Sequence, residues 1–255
     1  MKISVARADA AGQKSPLLVV PVLEGDAQDA AFQSLGGQLS TLVARGDARG
    51  GFGKTALVFP ATGGAERVLL VGVGKAEELT PERLRRAAGT AAKQAGTSRA
   101  DSVTFALPVS ALAPGDAARA AAEGLVLGAY DFTELKDVDP DGAPAVALES
   151  ATLLLGEGTD ESAAAEGARV GEIIARAENL ARDLGNRPGN VATPTHLAET
   201  AERIGREHGM KVTVLGPKEL EAEGMRALLA VSQGSAQEPR LMILEHHGGK
   251  KGDRP

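Results

Sequence analysis

Few side chains in this sequence are spaced to do chemistry, and each such group has a plainer job available. His246 and His247 close an apolar run, a place where α/β proteins put functional groups, and neutral imidazole binds metals. Neighbouring residues on a strand point to opposite faces, so the two rings are poorly placed to share one ion. Gly72, Gly74 and Lys75 in G-V-G-K suggest a loop that cradles phosphate. That loop needs a glycine, four residues and then Gly-Lys followed by Ser or Thr. Here Ala76 follows the lysine and no helix starts before Pro81, so a strand-ending turn is expected. Gly50, Gly51 and Gly53 in R-G-G-F-G-K read as a turn before a strand rather than a ligand loop. Arg182, Asp183, Asn186, Arg187 and Asn190 form a polar cluster. Their side chains can satisfy loose backbone groups at two facing helix ends, and that structural role is preferred to substrate contact.

The elements around this last cluster organise the chain. Val170, Ile173, Ile174, Ala177, Leu180, Ala181 and Leu184 recur at three- and four-residue spacing, which predicts one buried face on a helix that starts near Glu161. Such a helix is roughly 36 Å long at 1.5 Å per residue. Gly185 is expected to stop it, with Pro188 barring continuation. After the loop 186–190, Thr193 can cap a new helix and Pro194 suits its first position. Leu197, Ala201 and Ile204 are its expected buried stripe, and Gly209 its end.

The run N-L-A-R-D-L-x-N-x-P-x-N-x-x-T-P at 179–194, then G-M-K-V-T-V-L at 209–215, E-G-M-R-A-L-L-A-V-S-Q-G-S at 223–235 and P-R-L-M-I-L-E-H-H-G-G at 239–249, resembles the leucyl (cytosol) aminopeptidase family. V-L-L-V-G-V-G-K-A-E-E-L-T-P-E-R-L-R-R-A-A-G at 68–89 and G-A-Y-D-F-T-E-L-K at 128–136 are similar to the same family. The resemblance implies an N-terminal α/β domain similar to macro domains, and a cytoplasmic homohexamer that removes N-terminal residues from peptides with two divalent ions, Mn or Zn. In that family the ions are held by V-G-K-G-x-x-x-D-x-G-G and N-T-D-A-E-G-R motifs, and neither occurs here. A-E-G-A-R at 165–169 resembles the second only loosely. The aspartate is missing and an alanine intervenes, so Glu166 reads as a solvated side chain. No residue is therefore assigned a catalytic, cofactor-binding or metal role, and this chain alone is expected to be inactive on peptides.

Composition narrows the alternatives. With 255 residues, 43% hydrophobic and 24% charged, the chain can bury a sizeable core in one or two domains. No apolar run approaches the roughly eighteen residues of a membrane helix, and M-K-I-S-V-A-R lacks the apolar core of an export signal, so no membrane partner is expected. The absence of cysteine suits a reducing compartment, with the cytoplasm as default. A net charge of -6, five Phe, one Tyr and no Trp weigh against a general nucleic-acid surface. The rival to the enzyme is a stand-alone macro-like module that binds a nucleotide or, against its charge, DNA.

The expected fold class is α/β: a mixed sheet flanked by helices over residues 1–158, a connector helix over 159–185, and the incomplete start of a second α/β domain over 186–255. Strands are expected at Met1–Ala6, Leu17–Leu23, Thr55–Phe59, Val68–Val73, Val103–Val109 and Ala145–Leu155. A hairpin-type turn at Thr62–Ala65 joins the third and fourth. Helices are expected around Phe32–Val43, at Pro81–Ala95 behind a Thr80 cap, and at Pro114–Ala129, with a surface loop at Asp137–Pro144. Past the connector, Lys211–Leu215, Ala227–Val231 and Leu241–Glu245 read as strands and Pro217–Glu223 as a short helix. The continuous apolar run Leu241–Leu244 marks a strand covered on both faces.

Overall fold

The computed structural model describes residues 1–25, 32, 34, 35, 50–60, 63–108, 112–136, 146–250 and 252. The chain divides into two units, Met1–Leu180 and Ala181–Pro255.

In the first unit the strands are Lys2–Arg7 (β1), Leu18–Leu23 (β2), Thr55–Val58 (β3), Val68–Gly74 (β4), Ser102–Ala106 (β5) and Ser150–Leu155 (β6). They lie in the order β1-β6-β5-β2-β4-β3. All neighbours are parallel except β3, which runs antiparallel to β4. β2 and β4 are buried at every position, as expected of central strands that are apolar on both faces. Alternate residues of β2 feed two cores: Val19 and Leu23 pack on one face, Leu18, Val20 and Val22 on the other. The antiparallel β3–β4 pair agrees with the hairpin expectation, and Thr62 lies outside the described residues.

Two helices cover the first face. Pro81–Thr97 (α1) starts where the sequence indicated: the Thr80 hydroxyl accepts from the Arg83 backbone N–H at 3.3 Å, and Pro81 occupies the first turn. Pro114–Gly128 (α2) follows β5. α1 buries Leu84, Ala87, Ala88, Ala91, Ala92 and Ala95, the stripe read from the sequence. Phe32 and Leu35 pack on the opposite core. The rest of the helix expected around Phe32–Val43, and the loop Asp137–Pro144, lie outside the described residues.

Glu161–Asn186 (α3) is 26 residues long and contributes to both units. It departs from expectation in two ways. Gly185 does not stop it; the helix continues through Asn186, the Arg187 N–H still donates to the Asp183 carbonyl at 3.2 Å, and Pro188, which has no N–H, cannot extend the ladder. Its buried face is Ala164, Ala168, Gly171 and Ala175, whereas Ile173 and Ile174 are exposed. Backbone proximity explains the reversal. A Cβ on Gly171 would stand 2.5 Å from the Arg119 carbonyl oxygen of α2, so only small residues fit this contact.

The second unit holds Pro194–His208 (α4), Lys211–Leu215 (β7), Pro217–Ala222 (α5), Arg226–Ser232 (α6) and Leu241–Glu245 (β8). Thr193 caps α4, accepting from the His196 backbone N–H at 3.2 Å, and Gly209 ends it with φ 65°. α4 buries Ala198, Thr200, Ala201 and Gly205; Leu197 and Ile204 are only half-buried. β7 and β8 form an antiparallel pair, Lys211 opposite Glu245. The strand expected at Ala227–Val231 is the helix α6 instead. A short run of Ala and Leu has no period to separate helix from strand, and both residues favour helix. β8 is not covered on both faces among the described residues, for Ile243 and Leu244 are exposed.

Candidate functional site

The glycine-rich corner is closed by its own backbone. At the end of β4 the Gly72 N–H donates to the Lys54 carbonyl at 2.7 Å and the Gly74 N–H to the Gly50 carbonyl at 2.8 Å. Both donors that a phosphate would need are engaged, and Gly74 turns the chain with φ 85°. The G-V-G-K segment is a strand-ending turn, and Gly50, Gly51 and Gly53 form the turn beside it.

The isolated polar groups stay isolated. Glu166 and Arg169 form a two-point ion pair on the exposed face of α3, with Nε to Oε2 at 2.8 Å and Nη2 to Oε1 at 2.7 Å. The hydrogen bond from Arg169 holds the Glu166 carboxyl below its usual range. His246 and His247 are exposed just past β8. Among the described residues no three of His, Asp and Glu come together so that they could hold an ion.

The polar joint between α3 and α4 is built as a connector. Val191 and Ala192 N–H groups both donate to the Pro188 carbonyl at 2.9 Å, folding the loop into a single turn. Arg187 Nη1 lies 2.9 Å from His196 Nε2, which ties the loop to the first turn of α4. Arg182, Asp183 and Asn186 also have partners, while Asn190 is exposed. The sequence did not single out His196. Its signal was its place three residues after the Thr193 cap.

Two concavities lie among the described residues. A groove of about 590 Å³ in the second unit is lined by Pro194, Leu197, Leu228, Val231, Pro239 and Met242, with Arg240 as its only charged side chain. It offers mainly apolar contact, with Ser232, Ser235 and Gln237 as the uncharged polar side chains of its lining and no carboxylate or imidazole among them. A smaller cleft of about 260 Å³ lies between α1 and α2. There the buried Glu123 carboxylate accepts from Arg85 Nη1 at 3.2 Å and Arg119 Nε at 2.9 Å. Burial opposes the charge on Arg85, but its hydrogen bond to the Glu123 carboxylate and the charges of Glu82 and Glu123 outweigh it and raise the guanidinium pKa. Glu123 was not read from the sequence, although it is a charged residue inside an alanine-rich buried stripe.

These features define a mixed α/β protein whose mostly parallel sheet and long connecting helix lead into a second unit, with no assembled reactive centre among the described residues. Residues 19–138 match the cytosol aminopeptidase family, N-terminal domain, and residues 179–255 the cytosol aminopeptidase family, catalytic domain. The chain belongs to the cytosol aminopeptidase family. It is 40% identical over 260 residues to a probable cytosol aminopeptidase of Geobacter sp. (strain M21), covering 99% of this chain and 52% of that protein. A probable cytosol aminopeptidase of Roseiflexus castenholzii (strain DSM 13941 / HLO8) is 36% identical over 259 residues, covering 100% and 51%. The chain thus spans about half the length of the curated relatives it matches. Among solved structures it is similar to a mutant of tomato leucine aminopeptidase, with TM-score 0.78, 26% identity and coverage of 94% and 50%. It is also similar to the bottromycin maturation enzyme BotP in complex with Mn, with TM-score 0.72, 27% identity and coverage of 90% and 45%.

Proposed function

We propose that this chain is the non-catalytic portion of a metallo-aminopeptidase that removes N-terminal residues from peptides. In this reading residues 1–158 form a macro-like domain, 159–185 the connector, and 186–255 the start of the catalytic domain. The intact enzyme works in the cytoplasm as a homohexamer with two divalent ions, Mn or Zn. The ligands for those ions and the groups that perform hydrolysis come from another part of the protein, so this chain alone is inactive.

One observation carries the proposal: the identity of 40% to a probable cytosol aminopeptidase runs along 99% of this chain but covers 52% of that relative. The uncovered apolar side chains Val231, Ile243 and Leu244 suit a second unit that packs against further structure.

The test is release of leucine from leucine amide, with and without added Mn²⁺ or Zn²⁺, by the 26.0 kDa chain at verified intact mass and by the protein of its complete reading frame. Activity is expected from the latter alone. Turnover by the isolated chain, or a complete reading frame that lacks both metal motifs, overturns the proposal.

A further inference from the structure

One edge of the six-stranded sheet carries an uncovered apolar row beside a set of cations. β3 ends the strand order, and among the described residues it pairs with β4 alone. Leu57 stands opposite Leu69, whose side chain belongs to the core beneath α1, so Leu57 points to the α1 side of the sheet. Phe59 follows directly after the last residue of the strand, Val58. Yet α1 does not cover this edge: Leu57 is 37% and Phe59 71% exposed. The turn before β3 adds Phe52, 36% exposed, with the Arg83 and Arg86 guanidinium carbons 5.1 and 5.4 Å from the centre of its ring. Exposed Lys54 lies in the same turn.

We infer that the β3 edge, from Phe52 to Phe59, docks an extended acidic segment of a partner protein as an added strand. Three independent properties select that partner. An edge strand offers backbone groups that only another extended backbone can pair in series. Leu57 and Phe59, two residues apart, receive alternate apolar side chains of such a strand. Arg83, Arg86 and Lys54 supply positive charge in a chain whose net charge is -6, so acidic side chains are drawn to this edge. Arg83 already pairs with Glu78 at 2.7 Å, which leaves Arg86 and Lys54 as the principal cations for the partner. Desolvation against Phe52 strengthens what Arg86 can contribute. β3 is four residues long and pairs with about four residues of such a segment at roughly 3.3 Å each, while the rest of the segment reaches the flanking turn. A single nucleic-acid strand would use the ring and the cations but not the backbone edge or Leu57. This surface lies outside the chemistry proposed above and does not depend on it.

The probe is a fluorescein-labelled seven-residue peptide, Val-Thr-Val-Thr-Asp-Thr-Asp, whose Val and Asp side chains share one face when extended, titrated with the purified 255-residue chain and followed by anisotropy. Saturable binding is expected, weakened at least tenfold by Leu57→Lys and by Arg86→Glu, with far-UV circular dichroism confirming that both variants are folded. A peptide with Lys in place of Asp should bind Arg86→Glu better than it binds the parent chain. N-methylation of alternate peptide amides should abolish binding, which separates strand addition from adhesion by charge. The inference is overturned by no binding to the parent chain, by equal binding to both variants, by unaltered binding of the N-methylated peptide, or by displacement of the peptide with a short oligothymidylate at equal concentration.

Discussion

The carbonyl oxygen of Gly115 in α2 occupies the place where a Cβ on residue 167 of α3 would have to stand. The two helices therefore meet backbone to backbone, and Gly167 is the residue that allows it. Gly185, in the last turn of the same helix, has nothing within 4 Å of the corresponding position. Gly167→Ala should lower stability by about 1–3 kcal/mol through overpacking, although alanine is the better helix former. Gly185→Ala should raise it by up to about 1 kcal/mol. Chemical denaturation of both variants checks the contrast, and equal effects would mean the helices do not meet this closely.

Glu123 holds α1 and α2 together through Arg85 and Arg119. Its side chain is 7% exposed while the arginines are 42% and 51% exposed, so the arginines can recover water if the carboxylate is lost. Glu123→Gln should therefore cost about 1–2 kcal/mol, less than the loss from a fully buried ion pair. A double-mutant cycle with Arg119→Gln should show coupling of about 0.5 kcal/mol or more, and strict additivity would refute the link.

Glu245 lies opposite Lys211 at one end of the β7–β8 pair, with Nζ 2.7 Å from Oε2. The hydrogen bond and then the charge of Lys211 hold the Glu245 carboxyl below the ordinary glutamate value. A depressed folded-state pKa means that the stabilisation is present above the unfolded value and is lost as pH falls through the folded one. In an NMR titration Glu245 should keep its charge to lower pH than exposed glutamates, and Lys211→Gln should move its midpoint upward.

Thr193 caps α4 through its hydroxyl, which accepts from the His196 backbone N–H. Thr193→Ala should cost about 1 kcal/mol, and Thr193→Ser should retain most of the stability. A Thr193→Ser variant as weak as Thr193→Ala in thermal denaturation would assign the loss to the methyl group rather than the cap.

Val231 is 89% exposed on α6 beside the apolar groove of the second unit. Val231→Asp should change stability by less than about 0.5 kcal/mol, since no packing is lost. It should reduce self-association of the chain in sedimentation velocity if this surface is adhesive when uncovered.

Where sequence and structure part, the reason differs from element to element. α1 was legible because its Thr80 cap, Pro81 and alanine stripe all act within a few residues of each other. β2 and β4 were legible because a central strand is apolar on both faces. The face of α3 was not, because hydrophobicity marks Ile173 and Ile174 while the buried contact requires Ala164, Ala168, Gly171 and Ala175. Ala227–Val231, expected as a strand, lies in the helix Arg226–Ser232, because so short an apolar run fits either period. The pairing of Arg187 with His196 needs the turn at Pro188 to form first.

By itself the sequence determined the helix starts at Pro81, Pro114 and Pro194, the apolar central strands, the family resemblance and the lack of both metal motifs, since each depends on residue type and short-range spacing. Only the tertiary structure decided which helix face is buried, that Glu123 joins two helices, and that Phe52, Leu57 and Phe59 share one open edge. Those outcomes depend on how closely backbones approach across the fold, a distance that no local pattern of side chains encodes.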